Sequence, residues 1–211
     1  MVSSKTIERF LERIAKDDAK LSVTNFRMSV PLMEADYQYY KGIKEWQHVY
    51  PAAEFNKDES GNLVFQKSNG LVMLHFINLM SDQEKDALKK TVSLLPMTFA
   101  AFEGADGRSL IVLVSICNEE GKIPTKEADA DLLYQSAYEQ VKTLYQSQVQ
   151  ATIKAEKPSL TSNFMLTLDA SPYYNSKAVA MRISQNMKKV ASAPKLSLIH
   201  ISEPTRLDVI S

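Results

Sequence analysis

Apolar residues along the chain keep two spacings, one of three to four residues and one of two. Ile7, Phe10, Leu11 and Ile14 recur at helical spacing behind Ser3 and Ser4, which predicts an N-terminal helix reaching about Lys20. "VTNFRMSV" then alternates and predicts a strand. The aromatic-rich "DYQYYKGIKEWQHVYP" predicts a short helix that stops before Pro51. "AAEF" and "NLVFQ" flank the turn cluster "NKDESG" and predict a hairpin.

"NGLVMLHFINL" reads as a buried strand over Leu71 to Asn78, interrupted by one imidazole, His75. Ser81 and Glu84 form the S-x-x-E pattern of a capping box. The helix behind it carries Ala87, Leu88, Val92 and Leu95 on one face and is closed by Pro96. "MTFAAFEG" and "SLIVLVSIC" flank "ADGR" and predict a second hairpin, of core type. Pro124 and Thr125 are expected to open the longest helix, with Tyr134, Ala137, Tyr138, Val141, Leu144, Tyr145 and Val149 on one side. That tyrosine face reads as core, with a base-stacking platform as the alternative. "NFMLTLD" predicts a last full strand, "SPYYN" a turn and "AVAMRI" a short strand. The order predicts an α+β fold, a mostly antiparallel sheet with packed helices.

Composition narrows the reading only in part. The 211 residues, 45% of them hydrophobic, suffice for one domain with a core, or one domain plus a tail. Lys and Arg total 25, as do Asp and Glu, so the whole chain has no net charge to draw it to nucleic acid or a membrane surface. A local basic patch stays open. The single cysteine, Cys117, excludes an internal disulfide and a cysteine-rich zinc site. No apolar run reaches the roughly 20 residues of a membrane span, and the acidic N-terminal helix is unlike a signal peptide. A cytoplasmic location is expected.

No phosphate-cradling glycine loop, H-E-x-x-H or C-x-x-C occurs, and His48 and His75 have no neighbour in sequence with which to hold a metal. No metal site is predicted. "LSLIHISEPTRLDVIS", residues 196–211, fits no element, and its back-translation resembles a sequencing-library adapter read in frame. The natural chain is therefore expected to continue differently after about Lys195. The expected layout is a helix over 1–22, a domain over 23–185, a linker over 186–195 and an adapter-derived tail.

"YYKGIKEWQHVYPAAEF", "SNGLVMLHFINL", "LPMTFAAFEGADGRSLIVLVSI", "AYEQVKTLYQ" and "LDASPYYNSKAVAMRI" also stand in a recognisable order and spacing. Together they resemble the virulence-associated-protein-E-type (VirE) N-terminal domain of Bacteroidetes mobile elements, itself similar to archaeo-eukaryotic primases. The resemblance covers about residues 23–183 and implies a primase-like fold with an RRM-like core.

Active members of that wider group carry a D-h-D pair of acids on one strand and a third acid on a later strand. Two-metal nucleotidyl transfer needs such ligands, because divalent ions of this kind take oxygen donors. The resemblance puts His75 and Ile77 at the positions of the acid pair. It puts Ile111 where a phosphate-facing Lys or His belongs, and Asn163 where an arginine belongs. Asp169 matches the later acid. One carboxylate cannot neutralise two dications, and imidazole is a poor magnesium ligand.

The resemblance therefore implies a catalytically degenerate N-terminal module of a mobile-element replication protein of primase–helicase type, with a helicase-type domain beyond this chain. Asp169 and His75 mark its residual catalytic positions. Single-stranded DNA or another replication protein is the implied partner, through Arg108, Lys67 and a basic stretch that includes Lys188 and Lys189. No cofactor is expected. Simpler readings make His75 a core or rim histidine, Asp169 a turn former before Pro172 and Arg108 a solvated turn residue. Two functional alternatives stay open. One is an active transferase holding Mg2+ or Mn2+ with Asp169 and Glu103 or Asp106. The other is a purely protein-interacting domain, which the zero net charge favours.

Overall fold

β6 (Leu110–Cys117) is the middle of the architecture, and its composition explains why. Its first five residues are apolar and all are buried, as a strand covered on both faces requires. The computed structural model describes residues 7–16, 20–29 and 48–184. Around β6 the elements run α1 (Ile7–Ala15), α2 (Lys20–Ser29), β1 (His48–Val49), β2 (Ala53–Lys57), β3 (Leu63–Ser68), β4 (Leu71–Ile77), α3 (Asp82–Ser93) and β5 (Thr98–Glu103). After β6 come α4 (Glu127–Gln148), β7 (Thr152–Ile153), β8 (Phe164–Met165), β9 (Tyr173–Tyr174) and β10 (Met181–Arg182).

The main sheet has the order β7-β4-β6-β5-β9, and β10 pairs with the end of β6. Its pairings are antiparallel except that of β10 with β6. β2 and β3 form a separate hairpin, and β1 pairs with β8. The fold is α+β, as the pattern predicts.

Alternation assigns the two faces of the sheet. Val72, Leu74 and Phe76 of β4 and Leu110, Val112 and Val114 of β6 pack with α3 and α4. Met73, Ile111, Leu113 and Phe102 form the other face, covered by Phe10, Leu11 and Ile14 of α1 and by Phe164 and Leu166. Phe10, Phe102 and Phe164 meet mutually, with ring centroids 5.1 to 5.5 Å apart. The tyrosines of α4 are core. Tyr134 and Tyr145 are buried, burial pushes both phenols up to about 12, and the Tyr145 hydroxyl lies 2.6 Å from Thr98 Oγ1. A base-stacking platform on these two rings is thereby closed.

Local signals hold where they are strong. The Ser81–Glu84 capping box forms, with Glu84 N donating to Ser81 Oγ at 3.2 Å and Ser81 N to Glu84 Oε2 at 3.3 Å. Elsewhere tertiary contacts override pattern. "VTNFRMSV" is not a strand. It lies mostly in α2, because Val23 and Phe26, three residues apart, are both buried on one helix face. The first helix ends at Ala15, and a second begins at Lys20. "NFMLTLD" contributes only the two residues of β8. "SPYYN" is not only a turn, since Tyr173 and Tyr174 pair with Ala101 and Ala100 of β5. The longest helix begins at Glu127, with Lys126 as its N-cap. Of the expected aromatic-rich helix, residues 36–47 lie outside the described residues, while His48 and Val49 are strand. The linker and tail also lie outside them. Among the described residues no helix is long and apolar enough to cross a membrane.

Candidate functional site

The β5–β6 turn is built by a few local bonds. Asp106 Oδ1 accepts from Arg108 N at 3.0 Å and from Ser109 Oγ at 2.6 Å. Gly107 takes φ +70°, and a Cβ there would lie 3.1 Å from Arg27 Cδ, so both conformation and space call for glycine. The turn leaves Arg108 exposed, and no hydrogen bond or ion pair reaches its guanidinium among the described residues.

Arg108 stands at a pocket of about 420 Å³ that also receives Arg27 from α2 and Lys85 from α3. Those two cations share Glu103, at 3.2 Å from Arg27 Nη1 and 3.3 Å from Lys85 Nζ. Asp82 takes Lys85 from the solvent side at 2.8 Å. Burial alone would lower the Lys85 ammonium, but Asp82 and Glu103 outweigh it and hold its pKa above the usual lysine value. The Lys85 hydrogen bond in turn lowers the Asp82 carboxyl. Arg27 also donates from Nη2 to the carbonyls of Leu168, at 2.6 Å, and Gly104, at 3.2 Å. It thereby ties α2 to the hairpin and to the segment before Asp169. Most charge in this pocket is balanced internally.

Asp169 is buried beside this cluster and fully engaged. Its Oδ2 accepts from Lys89 Nζ at 2.6 Å and Glu103 N at 2.9 Å, and its Oδ1 from Ser171 N at 2.9 Å. The last bond is the turn-forming role read from the sequence. Asp169 and Glu103 are thus neighbours, yet their carboxylates face different lysines, Lys89 and Lys85.

His75 sits elsewhere. In the register it is opposite Ile111, which is opposite Phe102, so two strand spacings of about 4.8 Å each separate it from β5. Ile111 is buried under α1, and the row His75–Ile111–Phe102 is hydrocarbon at its centre. His75 Nδ1 is 3.9 Å from Glu156 Oε1, longer than a hydrogen bond, while Lys154 Nζ is 2.6 Å from the same oxygen. His75 first, and Lys154 with it, hold the Glu156 carboxyl at about 2 against the opposing effect of burial. His75 Nε2 is buried without a hydrogen-bond partner among the described residues.

The remaining predicted residues do not gather here. Lys67 is on the β2–β3 hairpin, 3.0 Å from Glu54. Asn163 Oδ1 accepts from His48 Nδ1 at 2.8 Å, where β8 meets β1. Lys188 and Lys189 lie outside the described residues. Among the described residues, no group of three or more His, Cys, Asp or Glu is placed to hold a metal ion. Arg27, Lys85 and Lys89 went unread in the sequence. One signal was present: Lys85 falls in step with Leu88 and Val92 on the buried stripe of α3. A lysine at such a position calls for a buried acid.

Residues 41–174 match the family model described as BT4734-like, N-terminal domain. The chain belongs to that family. The BT4734-like match takes in β4, α3, the β5–β6 hairpin and Asp169 but not α1, α2 or Arg27. No curated protein and no solved structure matches the chain.

Proposed function

We propose that this BT4734-like domain is a non-catalytic docking module of a mobile-element replication protein, on a primase-like fold of VirE type whose metal-binding acids have been replaced. One observation carries the reading. The row His75–Ile111–Phe102 holds no carboxylate, and its two apolar members are buried under α1. The two nearby acids, Glu103 and Asp169, are each paired with a lysine, the buried Lys85 and the half-buried Lys89. In this reading the chain is cytoplasmic, a helicase-type domain follows it, and no Mg2+ or Mn2+ is needed. A primer-synthesis assay with either ion tests it. Equal absence of product from the wild type and from Asp169→Asn is expected. Product that depends on Asp169 overturns it in favour of an active transferase.

A second reading, a hold on single-stranded DNA, is favoured by Arg108, whose guanidinium has no partner among the described residues, at the pocket with Arg27 and Lys85. It predicts filter binding that weakens with salt and with Arg108→Ala. No binding at low salt removes it.

A further inference from the structure

A second pocket, also of about 420 Å³, lies between α3 and the junction of α4 with β7. Its chemistry is unlike that of the first. Ile77, Leu79, Ala87 and Leu88 give it an aliphatic wall, and among the described residues no Lys, Arg or His lines it. Among the described residues its one ionisable group is Glu84. Glu84 Oε2 accepts from Met80 N at 2.7 Å and Ser81 N at 3.3 Å. No hydrogen bond or ion pair reaches Oε1 among the described residues. The neighbouring lysines of α3 are spent elsewhere, Lys85 on Asp82 and Glu103 and Lys89 on Asp169. The Asn78 and Gln150 carboxamides at this pocket also make no hydrogen bond among the described residues. Asn78 stands at φ +64°, a left-handed conformation that turns the chain from β4 towards α3.

An aliphatic wall, one free carboxylate oxygen and two amide acceptors complement a cation on a hydrocarbon stem. Methylenes lie along Leu88 and Ala87 while a charged head meets Glu84, and each spare N–H finds an amide oxygen. An anion meets like charge, and a neutral group forgoes the ion pair. The geometry points to this pocket as a docking site for an arginine or lysine side chain presented by a partner protein. Only the source of that side chain rests on the docking reading above; the preference of the pocket for a cation does not.

The test uses the full chain, labelled with nitrogen-15, titrated with N-acetylarginine methylamide and with its neutral isostere N-acetylcitrulline methylamide. Saturable shifts are expected at the amides of Ala87, Leu88 and Thr91 and the carboxamides of Asn78 and Gln150. The citrulline compound should bind at least about tenfold more weakly. Glu84→Gln keeps the capping box, since glutamine serves at that position, and should lower arginine binding to the citrulline level. Ala87→Leu fills the pocket from an exposed helix position and should abolish both. Equal binding of the two compounds, arginine binding unchanged in Glu84→Gln, or no shift at the pocket overturns the inference. Primer synthesis or salt-sensitive DNA binding would instead remove the docking reading and leave the arginine preference measurable.

Discussion

The Lys89 ammonium lies 2.6 Å from Asp169 Oδ2, and both side chains are almost wholly withdrawn from water. A pair so placed is costly to break from one side, because the remaining charge stays buried. Lys89→Met should therefore destabilise the fold by about 3 kcal/mol, the low end of the range because Glu103 N and Ser171 N still donate to Asp169. Urea denaturation checks this, and the double variant Lys89→Met with Asp169→Asn, which removes the unpaired charge but keeps an acceptor oxygen, should recover part of the loss.

Gly107→Ala should cost about 1–2 kcal/mol, the penalty of a left-handed φ for a residue with a Cβ. The methyl group would also press on Arg27, which is held to Glu103, Gly104 and Leu168 and has little room to give. The shift in thermal midpoint should exceed that of Gly61→Ala, where φ is also positive but nothing lies within 4 Å of the added atom.

Acid should act through Glu156. Its folded carboxyl titrates at about 2 against an ordinary 4.5, so it favours the folded state above pH 4.5. That contribution fades as pH falls from 4.5 towards 2, where both states become protonated. Stability curves of the wild type and Glu156→Gln should therefore differ most above pH 4.5 and converge towards pH 2.

His75→Leu should lower stability at neutral pH, because it removes the first of the two groups that hold the Glu156 carboxyl low. Glu156 keeps Lys154 at 2.6 Å in that variant, so the loss is partial. Chemical denaturation at pH 7 decides it. A variant as stable as the wild type, or more so, would mean that the buried ring nitrogen, which has no partner among the described residues, costs more than the hold on Glu156 contributes.

The parts legible in the sequence are those decided by neighbours. The Ser81–Glu84 box, the "NKDESG" turn and the apolar run of β6 each carry their signal within a few residues. What escaped is decided at long range. Arg27 finds its partners Glu103, Gly104 and Leu168 far along the chain, and Tyr173 becomes a strand residue only because Ala101 of β5 offers an edge. α2 was misread because threonine, asparagine and arginine between Val23, Phe26 and Met28 imitate alternation. Which of those apolar residues is buried was set by contacts the pattern does not contain.

α1 has a consequence for how the domain can be handled. Phe10, Leu11 and Ile14 are the cover over Met73, Phe102 and Ile111, and they precede residue 41, where the family match begins. A fragment trimmed to the matched span would bare that aromatic face to water and lose Arg27 as well. It should self-associate and precipitate where the longer chain stays dispersed, so the working unit of this protein is wider than the homology that identifies it.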